Sequence, residues 1–119
     1  METQNLRRES RYNSDLPAQI RIGEQLTLNG RLKDISLKSA FIRIRENVFL
    51  KLSDEIGFAF PSAPGNEHNL IQGMARISRI VAGEGFAFYF TKMEDESMSR
   101  LKKLLDKSSD ALPSFSLET

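Results

Sequence analysis

Apolar and polar residues alternate with a period of two along most of the chain, which is the spacing of strands with one buried face. Breaks that contain glycine separate the runs, as between the strands of antiparallel hairpins. The runs have apolar positions at Leu16, Ala18, Ile20 and Ile22, at Leu26 and Leu28, at Ala40, Ile42 and Ile44, at Ile56, Phe58 and Phe60, along Leu70 to Val81, and at Phe86, Phe88 and Phe90.

Two local features of this pattern affect the predicted strands. Asn29-Gly30 is a strong hairpin-turn pair, but the break at residues 23–25 suits the same turn, and the pattern leaves both open. The apolar positions change parity at Leu32 and Ile35, so we expect a bulge near Lys33-Asp34.

The period changes to that of a helix after Thr91. Apolar residues then fall at helical spacing and lysines lie on other faces, which predicts an amphipathic helix. Thr91 and Glu94 have the spacing of a capping box, and the acids at 94–96 suit a helix start. Strands followed by one helix predict an all-β domain, a small antiparallel barrel or sandwich with a covering helix. The helical apolar positions are Met98, Leu101, Leu104 and Leu105.

A chain of 119 residues is long enough for one domain. Residues 1–15 are basic and poor in apolar side chains, which predicts a flexible arm, and residues 108–119 are serine-rich and predict a flexible tail. Residues 16–107 form the predicted body. The formal net charge is +1, but residues 1–52 carry ten lysines and arginines against six acids, whereas the rest carries seven against ten. The positive charge therefore concentrates in the first half.

The sequence lacks the residue types that several kinds of site require. There is no cysteine and one histidine, His68, so we expect no zinc or other metal site, no cofactor and no enzyme activity. Gly83 and Gly85 lie between two strand patterns and predict a turn, not a dinucleotide fingerprint. No apolar run has the length of a membrane helix, and residues 1–5 lack a signal peptide's apolar segment, so we expect a cytoplasmic protein without membrane insertion.

Two short motifs remain as candidate chemistry: Arg7, Arg8 and Arg11 in the arm, and Asp34 with Ser36 after the predicted second strand. Arginine binds phosphate oxygens with two parallel hydrogen bonds, stacks on purines and matches the acceptors of guanine. An aspartate accepts from the guanine N–H groups, and a serine hydroxyl adds a contact. Together the two motifs suit an anionic guanine nucleotide.

With these motifs, spaced as RxxxR and [DN]xSxxG, the chain resembles the PilZ domain family of cyclic di-GMP receptors. Ser39 departs from the family pattern, which has glycine there, so we expect weakened or altered binding at that position. The resemblance implies a six-stranded antiparallel β-barrel with a C-terminal α-helix. It also implies that Arg76, on a later strand, borders the ligand.

The resemblance further implies a mechanism. Arg7 and Arg11 would engage the phosphates and guanine, Arg8 would add charge or stacking, and Asp34 and Ser36 would contact a guanine edge. The arm would order over the ligand, and an unknown partner protein would bind the surface so formed. We expect a monomer or weak dimer.

Two alternatives have their own motivation in the sequence. Ser39 motivates a barrel that has lost ligand binding and serves as a protein interaction domain. The basic first half, with Tyr12 and Phe41 as stacking groups, motivates a single-stranded nucleic-acid-binding barrel. The acidic second half argues against a polymer of nucleic acid.

Overall fold

The computed structural model of the protein describes residues 12–44, 50–63, 65 and 68–111. Among these residues there are seven strands and one helix. They are β1 (Tyr12–Asn13), β2 (Pro17–Ile22), β3 (Leu26–Ile35), β4 (Ser39–Arg43), β5 (Glu55–Pro61), β6 (Leu70–Val81), β7 (Gly85–Met93) and α1 (Asp95–Ala111).

The strands close into a barrel. The order around it is β3, β2, β5, β6, β7 and β4, and β4 pairs back with β3, each pair being antiparallel. The two residues of β1 pair with the end of β3 and precede β2 on the same side of that strand. The predicted six-stranded antiparallel barrel with a C-terminal helix is therefore confirmed.

The inward positions of the alternating pattern form one core. The phenylalanines predicted to be buried pack together inside it, and the ring centroid of Phe58 lies 5.0 to 5.9 Å from those of Phe60, Phe88 and Phe90. Contacts of this geometry add to the burial of apolar area. Fully buried aliphatic residues complete the core, among them Ile20, Leu32, Ile42, Ile71 and Ile77.

The first hairpin turn lies at residues 23–25, where Gly23 has a φ of +64°. Asn29 and Gly30 lie inside β3 and pair with Gln19 and Ala18. A Cβ at Gly30 would lie 2.4 Å from the carbonyl oxygen of Arg43. The glycine thus serves a close approach of β3 to β4, and not a turn.

Bulges interrupt three places in the ladder. The one between Leu32 and Asp34 confirms the predicted bend in β3. Between β6 and β7 the register shifts twice. Thr91 of β7 is the extra residue at the first shift, opposite Met74 and Ala75, and Ser78 of β6 is the extra residue at the second, between Ile77 and Arg79. Each bulge changes which residues face outward along its strand.

The helix begins later than the capping-box pattern indicates. Thr91 belongs to β7, and the first helical hydrogen bond runs from the Met98 N–H to the Glu94 carbonyl oxygen at 2.9 Å. The predicted Thr91 cap is therefore wrong, because pairing with β6 keeps β7 extended to Met93.

Two polar side chains join α1 to β6. The Ser97 hydroxyl accepts a hydrogen bond from the Gln72 N–H at 3.1 Å, and Arg100 donates one to the Leu70 carbonyl oxygen at 2.8 Å. Leu101 and Leu104 are buried in the barrel core. Within the described part of the chain, no helix combines the length and apolar character needed to cross a membrane.

Candidate ligand-binding site

The predicted site residues fall into two groups. Arg7, Arg8 and Arg11 lie outside the described residues. The other four lie on the barrel: Asp34 in β3, Ser36 in the β3–β4 turn, Ser39 at the start of β4 and Arg76 in β6.

Ser36 holds the β3–β4 turn together from within. Its hydroxyl accepts hydrogen bonds from the N–H groups of Lys38 and Ser39, both at 3.2 Å, and its own N–H donates to the Ser39 carbonyl oxygen at 2.8 Å. The residue is 1% exposed. In this conformation the Ser36 hydroxyl serves the turn and is not presented to solvent.

Ser39 occupies the family's glycine position without backbone strain. It is the first residue of β4 and pairs with Tyr89 of β7. Among the described non-glycine residues, a positive φ occurs only at Ser53. The Ser39 hydroxyl lies 3.5 Å from that of Ser36. Its backbone conformation is thus one that any residue adopts.

Two rows of paired residues cross the outer face beside this turn. In the first row, Ser39 pairs with Tyr89, and Tyr89 pairs with Arg76. Directly paired residues in antiparallel strands project from the same face of a sheet. The ladder therefore brings Ser39 and Arg76 to the two sides of one exposed tyrosine.

Arg76 has a hydrogen-bond partner outside this row. Its guanidinium donates a hydrogen bond to the Ser53 carbonyl oxygen at 2.8 Å. Ser53 has a φ of +72°, a strained value for a residue with a Cβ, and its N–H donates to the Ile77 carbonyl oxygen at 2.7 Å. Arg76 thus contacts the segment just before β5, and its side chain stays exposed.

The second row lies one step further along the strands. Asp34 pairs with Phe41, Phe41 pairs with Ala87, and Ala87 pairs with Arg79. The Phe41 ring faces outward but is 4% exposed, because cationic side chains cover it. The Lys33 ammonium lies 5.6 Å and the Arg79 guanidinium 5.9 Å from its centroid, the geometry of cation–π contacts.

Arg79 is a residue of this face that the sequence reasoning left out. Arg76 and Arg79 are three positions apart, so regular alternation would place them on opposite faces of β6. The bulge between Ile77 and Arg79 returns Arg79 to the outer face. Ile77 and Ile80 show the same change of parity as Leu32 and Ile35, so the sequence does carry a signal for that bulge, which the sequence reasoning did not use.

An ion pair fixes the chain where it enters the barrel. Arg31 donates to the Asp15 carboxylate at 2.9 Å and to the Asp15 carbonyl oxygen at 2.6 Å. The hydrogen bond from Arg31, and then its positive charge, lower the pKa of the Asp15 carboxyl. The bridge ties the residues just after Arg11 to β3.

The outer face therefore combines an acid, a hydroxyl, a tyrosine and three cations beside one hairpin turn. Those groups are Asp34, Ser39, Tyr89, Lys33, Arg76 and Arg79. Carboxylates accept from N–H groups and guanidinium groups bind phosphate, so this face has the chemistry to bind a polar anionic ligand. The barrel therefore carries a candidate ligand-binding surface on its wall.

A comparison with protein families identifies the domain. The model of the PilZ domain matches residues 5–107, so the chain belongs to the PilZ domain family. The matched range includes both motifs noted in the sequence. No curated protein sequence gives a significant match.

Solved structures share the fold at low sequence identity. The inhibitor of motility MotI/DgrA of Bacillus subtilis superimposes with a TM-score of 0.71 at 10% identity, over 86% of this chain and 50% of its own. The PilZ domain of CeSA from a cellulose-synthesizing bacterium superimposes with a TM-score of 0.64 at 14% identity, over 84% of this chain and 98% of its own. The PilZ domain of Escherichia coli YcgR, solved with c-di-GMP, gives 0.62 at 13% identity, over 87% and 92%. This chain thus spans half of MotI/DgrA and nearly all of the two isolated PilZ domains.

Proposed function

We propose that the protein is a cyclic di-GMP-binding regulatory module whose arginine arm orders over the ligand and whose altered surface is bound by a partner protein. The observation that carries the proposal is the outer face beside the β3–β4 turn, where Asp34, Ser39 and Tyr89 lie next to Arg76 and Arg79. Family membership and the c-di-GMP in the YcgR structure support the same ligand. Control of motility or biofilm formation would be the behaviour regulated.

The barrel residues take different roles in this proposal. Asp34 accepts from the guanine edge, and Arg76 and Arg79 face the anionic part of the ligand from β6. Ser36 is a positioning residue, because its hydroxyl is engaged by the turn that presents Asp34 and Ser39.

The arm supplies the rest of the binding energy. Arg7, Arg8 and Arg11 would close over the phosphates and bases from the side opposite the barrel wall. Fixing each arm residue costs about 1 to 2 kcal/mol in backbone entropy, so several charge-assisted contacts are needed to hold the arm. Ligand binding and arm ordering would therefore occur together, which is how the ligand would be signalled.

Titration calorimetry with cyclic di-GMP tests this function. We expect saturable binding by the wild type. Arg11→Ala and Asp34→Ala should each lower the affinity at least about tenfold, which is about 1.4 kcal/mol of binding free energy. Arg21→Ala is the matched control, because Arg21 is an exposed arginine on β2. Absence of saturation by the wild type up to high micromolar ligand would overturn the proposal.

A ligand-independent protein interaction domain is the second candidate, motivated by Ser39. Its distinguishing test is Ser39→Gly, which should then create or sharply improve nucleotide affinity. The unstrained backbone at Ser39 favours the receptor instead, because the position makes no conformational demand for glycine. Wild-type binding that Ser39→Gly leaves unchanged would exclude the second candidate.

The nucleic-acid alternative loses one of its two proposed stacking groups, Phe41. The Phe41 ring is covered by Lys33 and Arg79, so neither face is open to a base. Steeply salt-dependent binding of oligonucleotides without nucleotide selectivity would be needed to favour it again.

A further inference from the structure

A second groove lies beside the proposed ligand site, between the β3–β4 turn and the start of α1. It has a volume of about 350 Å³, and Leu37 and Tyr89, which are 44% and 41% exposed, form part of its wall. Large apolar side chains clustered at the surface are typical of interaction sites. The remaining lining residues are Lys38, Phe90, Thr91, Lys92, Met93 and Met98.

The charge of this groove has one sign. Among the described residues that line it, the charged ones are Lys38 and Lys92. An apolar floor with cations around it complements a segment that combines apolar side chains with carboxylates.

A larger groove on β2, β5 and β6 provides a contrast. Its volume is about 620 Å³, and both signs of charge line it: the cations Arg21 and Lys92, and the acids Glu24, Glu55 and Glu94. Such a mixture favours neither an acidic nor a basic partner. Of the two grooves, only the charge of the smaller one therefore indicates the charge of a binding partner.

The smaller groove shares structure with the ligand site. The Phe90 N–H donates to the Lys38 carbonyl oxygen at 2.9 Å, which fixes the tip of the β3–β4 turn against β7. Tyr89 forms part of the groove and also pairs with both Ser39 and Arg76. A ligand that contacts Ser39 or Arg76 would border Tyr89, and so border anything bound in the groove.

We propose that this groove is the docking surface for an acidic, apolar segment of a partner protein. Apolar side chains of the segment enter between Leu37, Tyr89 and Met98, and its carboxylates face Lys38 and Lys92. The groove would be the output surface of the receptor. Its coupling to nucleotide binding rests on the proposed function.

The test is an NMR titration of the full ¹⁵N-labelled chain with a short synthetic peptide that alternates glutamate and leucine. We expect amide shifts concentrated at Leu37, Lys38, Tyr89 and Met98. A peptide with lysine in place of glutamate is the charge control and should produce no saturable shifts at these positions.

Matched variants test the position of the groove. Leu37→Glu should lower the affinity for the acidic peptide by at least about tenfold, because apolar contact is lost and the new carboxylate repels the glutamates of the peptide. Leu26→Glu is the control, because Leu26 is also 44% exposed and does not line the groove. Equal weakening by both variants, equal binding of the basic peptide, or shifts centred elsewhere would overturn the proposal.

Calorimetry with cyclic di-GMP on the same samples separates the two proposals. Thr91→Glu changes an exposed groove residue outside the β3–β4 turn and the paired rows, so it should weaken peptide binding while retaining nucleotide affinity within about twofold. Peptide binding at the groove without any nucleotide binding would overturn the receptor function but support the groove. Nucleotide binding without peptide binding, or a peptide affinity that bound nucleotide leaves unchanged, would overturn the groove as an output surface.

Discussion

At the scale of single residues, Ser36 shows how a motif side chain can act through structure. Its hydroxyl accepts from two turn amides while the residue is 1% exposed. Ser36→Ala would leave those amides without this acceptor, and we expect a loss of about 1 to 3 kcal/mol in the free energy of unfolding. Nucleotide affinity should fall as well, because the loosened turn carries Ser39. Urea unfolding and calorimetry measure the two effects.

The control for Ser36 is another serine of the barrel. Ser78→Ala changes an exposed residue of β6 and should alter the free energy of unfolding by less than about 0.5 kcal/mol. If Ser36→Ala were as stable as the wild type, the hydrogen bonds assigned to its hydroxyl would not contribute to folding.

The Asp15 carboxyl gives a prediction about pH. Arg31 lowers its pKa in the folded state, so the pair stabilises the fold above the ordinary carboxyl range and the contribution is lost as the pH falls through the lowered pKa. Arg31→Met should move the Asp15 pKa back toward its ordinary value, as followed by NMR of the carboxyl carbon. Both side chains are exposed, so salt should weaken the effect. An Asp15 pKa that is unchanged in Arg31→Met would contradict this account.

At the scale of elements, Gly30 sets how closely β3 approaches β4. A Cβ there would lie 2.4 Å from the Arg43 carbonyl oxygen and 2.7 Å from a side-chain carbon of Ile44. Gly30→Ala must therefore displace backbone, and we expect a loss of about 1 to 3 kcal/mol in the free energy of unfolding measured in urea.

Gly57 is the matched strand glycine for that experiment. A Cβ at Gly57 would meet its nearest heavy atom, in Arg21, at 3.6 Å, which is an ordinary contact. Gly57→Ala should therefore be nearly neutral or slightly stabilising, because alanine restricts the unfolded chain. Similar losses for both variants would show that backbone entropy, and not the β3–β4 approach, dominates at Gly30.

The elements that sequence predicts best are those whose hydrophobic pattern is long and regular. The run from Leu70 to Val81 has the bounds of β6, and the bulge at Asp34 was signalled by a change of parity. The turn at residues 23–25 and the start of α1 depend on pairing with neighbouring strands, which local patterns do not contain. Pairing kept Asn29 and Thr91 in strands although their local sequences favour a turn and a helix cap.

In the candidate site, too, some residues could be predicted from the sequence and others depend on strand pairing. Asp34, Ser39 and Arg76 could be named from motif spacing and family resemblance, and β3, β4 and β6 place all three beside the hairpin turn or across Tyr89 from it. Arg79 and the covering of Phe41 depend on a bulge inside β6, whose signal in the sequence, the change of parity at Ile80, the sequence reasoning did not use. The engagement of Ser36 by its own turn is likewise a tertiary fact, because it requires the geometry of the β3–β4 hairpin.

At the scale of the whole molecule, barrel closure joins the ligand face to the rest of the fold. The pairing of β3 with β4 both closes the barrel and carries Asp34 and Ser39, so the site cannot loosen without opening the barrel wall. A closed sheet also leaves no long unpaired edge among its six strands. Ligand binding at this seam should therefore stabilise the whole domain and not one loop alone.

This linkage gives the last prediction. Under the proposed function, cyclic di-GMP at about one hundred times its Kd should add about 2.7 kcal/mol to the free energy of unfolding, as expected for a ligand that binds the folded state alone. For a domain of this size that corresponds to a rise in Tm of roughly 10 °C in a thermal melt. GTP at the same concentration is the ligand control and should leave the Tm nearly unchanged. At that same fixed concentration of cyclic di-GMP, a tenfold loss of affinity in Arg11→Ala should reduce the shift to about half, because the stabilisation depends on the logarithm of the ligand concentration divided by Kd. A full shift in Arg11→Ala would mean that the barrel face alone holds the ligand and that the arm does not close over it.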